Sequence, residues 1–239
     1  MSIKAICLIT VKPNKIYLDF LNKFDIYDIY IIIDDNNNNY NEIKLQYPKI
    51  KFIQIKNEDC LNSGFMNTSY ITIRKPIIGW DKALYFFSYI NCIYDYIWFI
   101  EDDVYFYDES TLLNIDTKYT DFDLLCNSSF EPAKLNEWLW HMIKINLQPP
   151  YYCGMMCISR FSKNMIDAIK DYAKKNKTLF FLEALYPTIV VKYNLKYVSN
   201  PIEFLTITYR DKHDINSLNK INLYHPIKNI ENHSEARKY

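Results

Sequence analysis

Three carboxylates stand in a row at Glu101-Asp102-Asp103, directly after the apolar run Tyr96-Ile97-Trp98-Phe99-Ile100. That run is aromatic or β-branched throughout, as in a strand buried on both faces. Acids crowded at the end of such a strand repel one another and lose hydration, and a divalent cation offsets the cost. In open α/β sheets, ligands bind beyond the carboxyl ends of the strands. The triplet therefore reads as a metal platform on the lip of a sheet; the alternative is a solvated acidic turn. Side chains alternate along a strand, so Glu101 and Asp103 share a face. A second acid in an unusual setting is Glu183, within Leu179-Phe180-Phe181-Leu182-Glu183-Ala184-Leu185. Flanking Phe, Leu and Ala would desolvate its carboxylate and raise its pKa toward neutrality, the condition of a general base. The alternative is a Glu on the wet face of an amphipathic helix. Asp34-Asp35 closes another apolar run, and His225 lies in the apolar island Ile221 to Ile227 of a polar tail.

The chain that must position these groups has 239 residues, 49% of them hydrophobic, enough for one large α/β domain. Its 28 basic and 28 acidic residues cancel, and no polybasic run appears. This argues against nucleic acid or an anionic membrane as main partner. No apolar run approaches the ~18 residues of a membrane span. The N-terminus has no signal-peptide layout, so the expected location is cytoplasmic. The six cysteines lie mostly in apolar stretches and read as reduced core residues. Cys153 and Cys157 lack the second pair a zinc site needs.

Periodicity predicts strands over Ile3 to Val11, Asp28 to Ile33, Lys51 to Ile55 and Tyr96 to Asp103. Helices are expected after Pro13 and over Trp80 to Tyr94, with an asparagine loop at 36–39 and no periodicity from Lys56 to Lys75. This alternation is that of a mostly parallel, Rossmann-type sheet flanked by helices. The second half is less regular. Strands are expected over Asp121 to Cys126, Tyr151 to Ser159 and Leu195 to Ser199. Helices are expected over Leu135 to Ile145, from Ser162 to about Lys174, and over Leu179 to Tyr186, where Pro187 would stop the last one. No linker divides the chain. One domain is expected, residues 1–104 forming one half, and 105–239 the other half and the tail.

A Rossmann-like first half without a glycine fingerprint, ending in an acidic triplet near residue 100, resembles the GT-A glycosyltransferases. Glu101-Asp102-Asp103 stands where that family carries its Asp-any-Asp motif, with Glu in place of the first Asp. Gly79-Trp80-Asp81-Lys82-Ala83-Leu84 resembles the helix start before the acidic strand in several such families. Tyr224-His225-Pro226-Ile227-Lys228 resembles the C-terminal His-Pro segment that returns to the metal. The resemblance implies a nucleotide-sugar donor, UDP-linked by default, a glycan or other hydroxyl acceptor, and Mn²⁺ or Mg²⁺ as cofactor.

On that resemblance, Asp103 and His225 are the metal ligands, a neutral imidazole suiting Mn²⁺. Glu101 would touch ribose or a metal-bound water, and Asp102 would hold the loop. Val11 and Lys12 would line the base pocket, and Asp34 and Asp35 would accept hydrogen bonds from base or ribose. Asp81 would bind sugar hydroxyls; Lys82 and Arg74 would bind phosphate. Glu183 would be the base of an inverting reaction, with Gly154 and Tyr152 on the acceptor side. Plain structural roles compete at most of these positions: turns for Asp34 and Asp35, a helix-start acid for Asp81, core for the aromatics. Two other readings remain. A nucleotidyltransferase forming sugar nucleotides would favour a glycine-rich loop after the first strand, yet Val11-Lys12-Pro13-Asn14 has none. A non-catalytic sugar-nucleotide or glycan-binding domain would bind donor without turning it over.

Overall fold

The structure, a computed structural model, describes residues 2–69, 75–134, 137 and 142–238. Six strands form one sheet in the order β3-β2-β1-β4-β6-β5. β1 (Lys4–Thr10), β2 (Asp28–Ile33), β3 (Ile50–Ile53) and β4 (Tyr96–Glu101) run parallel. β5 (Leu124–Asn127) and β6 (Met155–Ser162) add an antiparallel edge. The mostly parallel α/β architecture is the one the alternating pattern predicts.

Both faces of the sheet are covered, so β1 is apolar on both. Ala5, Cys7 and Ile9 join one core layer; Ile6 and Leu8 join the other. The first layer lies under α3 (Asn57–Ser63), α4 (Gly79–Tyr85), α6 (Lys163–Asn176) and α7 (Leu182–Lys192). The second lies under α1 (Lys15–Leu21) and α5 (Glu109–Lys118). α2 (Asn41–Gln46) flanks β3, and α8 (Ile230–Ala236) packs on α1. Buried Asp116 fixes the second face. It accepts from Arg160 Nη1 at 3.0 Å, Tyr27 Oη at 2.7 Å and Trp98 Nε1 at 3.1 Å, with Lys4 Nζ at 2.9 Å. A buried charge surrounded by donors in this way does not incur the cost of an unpaired one.

Several boundaries differ from the periodicity, for local reasons. The helix expected to reach Tyr94 is α-helical only through Tyr85. It then widens into a π-helical turn, Phe86–Ile90, where the Asn91 amide bonds to the Phe86 carbonyl at 2.9 Å. β6 begins at Met155 and not at Tyr151, so Gly154 precedes the strand. α7 does not stop at Pro187 but runs through it to Lys192. α3 forms where periodicity failed, ended by Gly64 in the left-handed region at φ 82°. Leu195 to Ser199 contributes only a bridge from Tyr197 to Leu124. α5 and α8 were not expected; each starts on a side-chain cap, Asp108 and Asn229 respectively. The helix expected over 135–145 falls mainly outside the described residues, as does Arg74.

Candidate active site

Parallel register decides what meets at the carboxyl edge. Ile9 lies opposite Glu101, so Thr10, at the end of β1, comes beside the acidic turn. Thr10 Oγ1 donates to Asp102 Oδ2 at 2.5 Å. Asp102 is thereby tied toward β1. Glu101 and Asp103 turn the other way, into a cleft.

The tail delivers the third group. Tyr224 and Tyr105 exchange backbone hydrogen bonds at 2.8 and 2.9 Å, and the Ile227 amide donates to the Asp103 carbonyl at 2.7 Å. His225, between them, is brought over the acids, with Nε2 3.3 Å from Asp103 Oδ1. Its other ring nitrogen, Nδ1, lies 2.6 Å from the Thr208 carbonyl oxygen. A carbonyl only accepts, so Nδ1 carries the proton. A neutral ring then turns its Nε2 lone pair toward the acids, and a protonated one donates from Nε2 to Asp103. α8 holds the tail in place. Arg237 donates from Nη2 to the Phe106 carbonyl at 2.9 Å and stacks on Phe20 at 3.4 Å from the ring centre.

Glu101, Asp103 and His225 each offer a ligand atom, and these atoms lie within 4.8 Å of one another. They are the only such group among the described residues. Two carboxylates and an imidazole are donors that suit Mn²⁺ or Mg²⁺, with coordination left over for phosphate oxygens and water. The residues present therefore fit a divalent cation. Glu101, expected to touch ribose or a metal-bound water, stands in this group with Asp103 and His225. Its Oε1 accepts from the buried Trp80 indole at 2.6 Å.

Electrostatics follow from burial and neighbours. Burial raises the pKa of Glu101 despite the Trp80 bond, and burial also raises that of Asp102. Burial would raise Asp103 too, but the His225 hydrogen bond and charge outweigh it and leave the carboxyl below its usual value. Conversely, burial would lower His225, but Asp103, the Thr208 carbonyl and Glu101 together raise it.

Glu183 sits in the first turn of α7 and lines the same cleft as the three acidic-site groups, a space of about 460 Å³. Thr68, Ser69, Trp80, Met155, Cys157 and Phe181 also border it. Desolvation, with a smaller push from the Glu101 charge, lifts the Glu183 pKa to about 7.

The remaining expected residues are placed as follows. Asp81 is fully buried and accepts from the Ile78 and Thr68 amides at 2.9 and 3.2 Å, the helix-start role and not a sugar contact. Lys82, 2% exposed, pairs with Asp34 at 2.8 Å, so its charge is engaged inside the protein. Asp34 also takes Lys75 at 2.8 Å. Asp35 is spent on its own loop, accepting from the Asn37 amide, Asn38 and Tyr40 Oη. Val11 is 61% exposed, while Lys12 borders a separate 600 Å³ hollow with Asn38, Asn39, Tyr40 and Asn41. Gly154 serves close packing: a Cβ there would stand 2.8 Å from Ser128 Cβ. The Tyr152 amide donates to Thr188 Oγ1 at 3.0 Å, and its ring packs partly against the core. Trp80 and Lys228 border the cleft without having been singled out as site residues. Each lay in a segment that the resemblance had already marked, which was the available signal.

No family model matches the chain, and no curated protein matches it. Solved structures do. A galactosyltransferase, LgtC, in complex with donor and acceptor sugar analogues superposes with a TM-score of 0.51 at 14% identity, covering 98% of this chain and 95% of that one. An active-site mutant of LgtC gives 0.50 at 12% identity, with the same coverage of each chain. A 4-diphosphocytidyl-2C-methyl-D-erythritol synthase from Anaerococcus prevotii gives 0.48 at 10% identity, covering 100% and 98%. The fold of this chain is thus GT-A-like.

Proposed function

We propose that the chain is a metal-dependent glycosyltransferase that moves a sugar from a nucleotide-sugar, UDP-linked by default, to a hydroxyl acceptor with inversion. The observation that carries this reading is one cleft, about 460 Å³, lined at once by Glu101, Asp103, His225 and Glu183. A cation-binding trio and a carboxyl that titrates near neutrality are the two parts such a transfer requires.

Glu101, Asp103 and His225 would hold Mn²⁺ or Mg²⁺. When bound, the ion supplies Lewis-acid stabilisation of the diphosphate leaving group. The nucleoside would lie over the ends of β1 and β2, near Val11, Lys12 and Asp102, with the Asn38–Asn41 hollow beyond. Trp80 keeps one Glu101 oxygen engaged and so fixes the carboxylate's direction. Glu183 takes the proton of the acceptor hydroxyl as its oxygen bonds to the sugar's anomeric carbon. The bond from that carbon to the diphosphate breaks, and the nucleoside diphosphate leaves. Attack opposite the leaving group inverts the configuration. Apolar Phe181, Leu182 and Met155 restrict water around the base, which limits hydrolysis of the donor.

The test is a panel of nucleotide-sugars, each assayed for release of nucleoside diphosphate with and without Mn²⁺ and for thermal stabilisation. Metal-dependent stabilisation and turnover by one donor class support the reading. Donor binding without any turnover would make the chain a binding domain instead.

A further inference from the structure

A further hollow, of about 520 Å³, adjoins the cleft, and its residues have no part in the transfer chemistry above. It is bordered by Tyr209, Arg210, Asp211, Lys212, Pro226 and Lys228, among others. Tyr209, Pro226 and Lys228 border both spaces, so the two are neighbours. Three cations face one acid there, in a chain whose 28 basic and 28 acidic residues balance overall. Tyr209 is 65% exposed at the junction, with the Arg210 guanidinium 4.8 Å from its ring centre. An exposed tyrosine ring offers an apolar face together with a polar tip. A guanidinium held beside it presents donors in a fork that matches a phosphate or carboxylate.

The side on which this groove lies decides what it serves. Asp102 is tied toward β1 by Thr10, and Lys12 and the asparagine loop lie beyond that edge. That edge is the nucleoside side. The basic groove instead opens past His225 and Pro226, along the tail. Its wall is rigidly coupled to the metal trio, because the Ile227 amide bonds to the Asp103 carbonyl at 2.7 Å and His213 Nε2 lies 3.0 Å from the His225 carbonyl.

We propose that this groove is an acceptor subsite for an anionic group, a phosphate or a carboxylate, carried by the molecule whose hydroxyl is glycosylated. Tyr209 covers a face of the acceptor sugar at the junction, and Arg210 and Lys212 take the charge beyond it. The proposal rests on the transferase reading for the word acceptor, but the groove's preference for anions is measurable without turnover.

The test uses the full chain saturated with UDP and Mn²⁺. Three sugars are titrated by NMR: methyl glucoside, glucuronate and glucose 6-phosphate. One charged sugar should bind roughly tenfold more tightly than the neutral one, the scale of a charge-assisted hydrogen bond. Which one does so separates carboxylate from phosphate. The preference should shrink as salt rises. The double variant Arg210→Ala/Lys212→Ala, altered only at exposed positions, should lose the preference and keep its UDP affinity. Equal binding of all three sugars, or none, overturns the proposal. So does a double variant that loses UDP affinity, since the groove would then belong to the donor diphosphate. If UDP fails to bind with metal while the charged preference and its loss in the variant persist, the donor reading fails and the anion subsite stands.

Discussion

The backbone amide of Gly154 donates to the carbonyl of Glu183 at 3.0 Å. In an uninterrupted helix that carbonyl would accept from residue 187, but Pro187 has no N–H to give. Gly154, at the entrance to β6, satisfies it from outside the helix. The proline therefore does not end α7. It transfers one hydrogen bond from the helix to the sheet, and the first turn of α7, with Glu183 on it, becomes anchored beside the acidic strand end.

Replacing Glu183 by Gln keeps the shape and removes the proton acceptor. Turnover should fall by at least ~10²-fold, the lower end of what a positioned base contributes. UDP affinity should stay near wild type, because the proposed nucleotide contacts lie on other residues. Wild-type turnover should rise with pH through the neutral range, as the carboxyl that titrates at about 7 loses its proton. The residual activity of the variant should lack that rise. Steady-state rates across pH check both, and NMR of the product anomer checks inversion.

Gly154→Ala should destabilise the fold by about 1–3 kcal/mol, the usual cost of forcing atoms into a full site. The new Cβ would meet Ser128 Cβ at 2.8 Å, Asn127 O at 3.1 Å and Cys126 Sγ at 3.2 Å. Backing away from that contact would also pull the 154 amide from the Glu183 carbonyl. Urea unfolding should show the stability loss, and turnover should fall with UDP affinity unchanged.

Asp81 makes folding stability depend on pH. Burial raises its pKa to about 7, despite the two backbone amides that favour its ionised form. An unfolded Asp titrates at about 3.9. Between these values the folded chain binds the proton more strongly. The stability so contributed is full at low pH and is lost as pH rises through about 7. Asp81→Asn should be less stable at pH 5 by about 1–3 kcal/mol, since its NH₂ faces a backbone donor. Its stability should also fall less steeply than wild type between pH 5 and 8, as read by urea unfolding.

Much of the first half could be read from residue order, because β1, β2 and β4 are buried on both faces and announce themselves as apolar runs. The acids at the end of β4 were visible for the same reason: their polarity breaks the run abruptly. Glu183 stood out because Phe181, Leu182 and Ala184 surround it. What could not be read depends on partners distant in sequence. Pro187 looked like a helix stop because the Gly154 amide that compensates it lies 33 positions earlier. Lys82 looked available for phosphate, yet Asp34 claims it across 48 positions. Short α5 and α8 start on single capped residues and carry too little periodicity to be seen.

A calorimetric titration of UDP into the full chain, in Mn²⁺ and in excess EDTA, with wild type and Asp103→Asn, tests the metal-bridged donor most directly. Wild type should bind UDP in Mn²⁺ and lose most of that affinity in EDTA. At 100 times the dissociation constant, UDP should stabilise the metal-loaded chain by about 2.7 kcal/mol. Asp103→Asn should stay folded and bind UDP weakly under both conditions. Equal UDP affinity of the wild type with and without metal, or an Asp103→Asn variant that binds as wild type does, would contradict a metal-bridged donor at Glu101, Asp103 and His225.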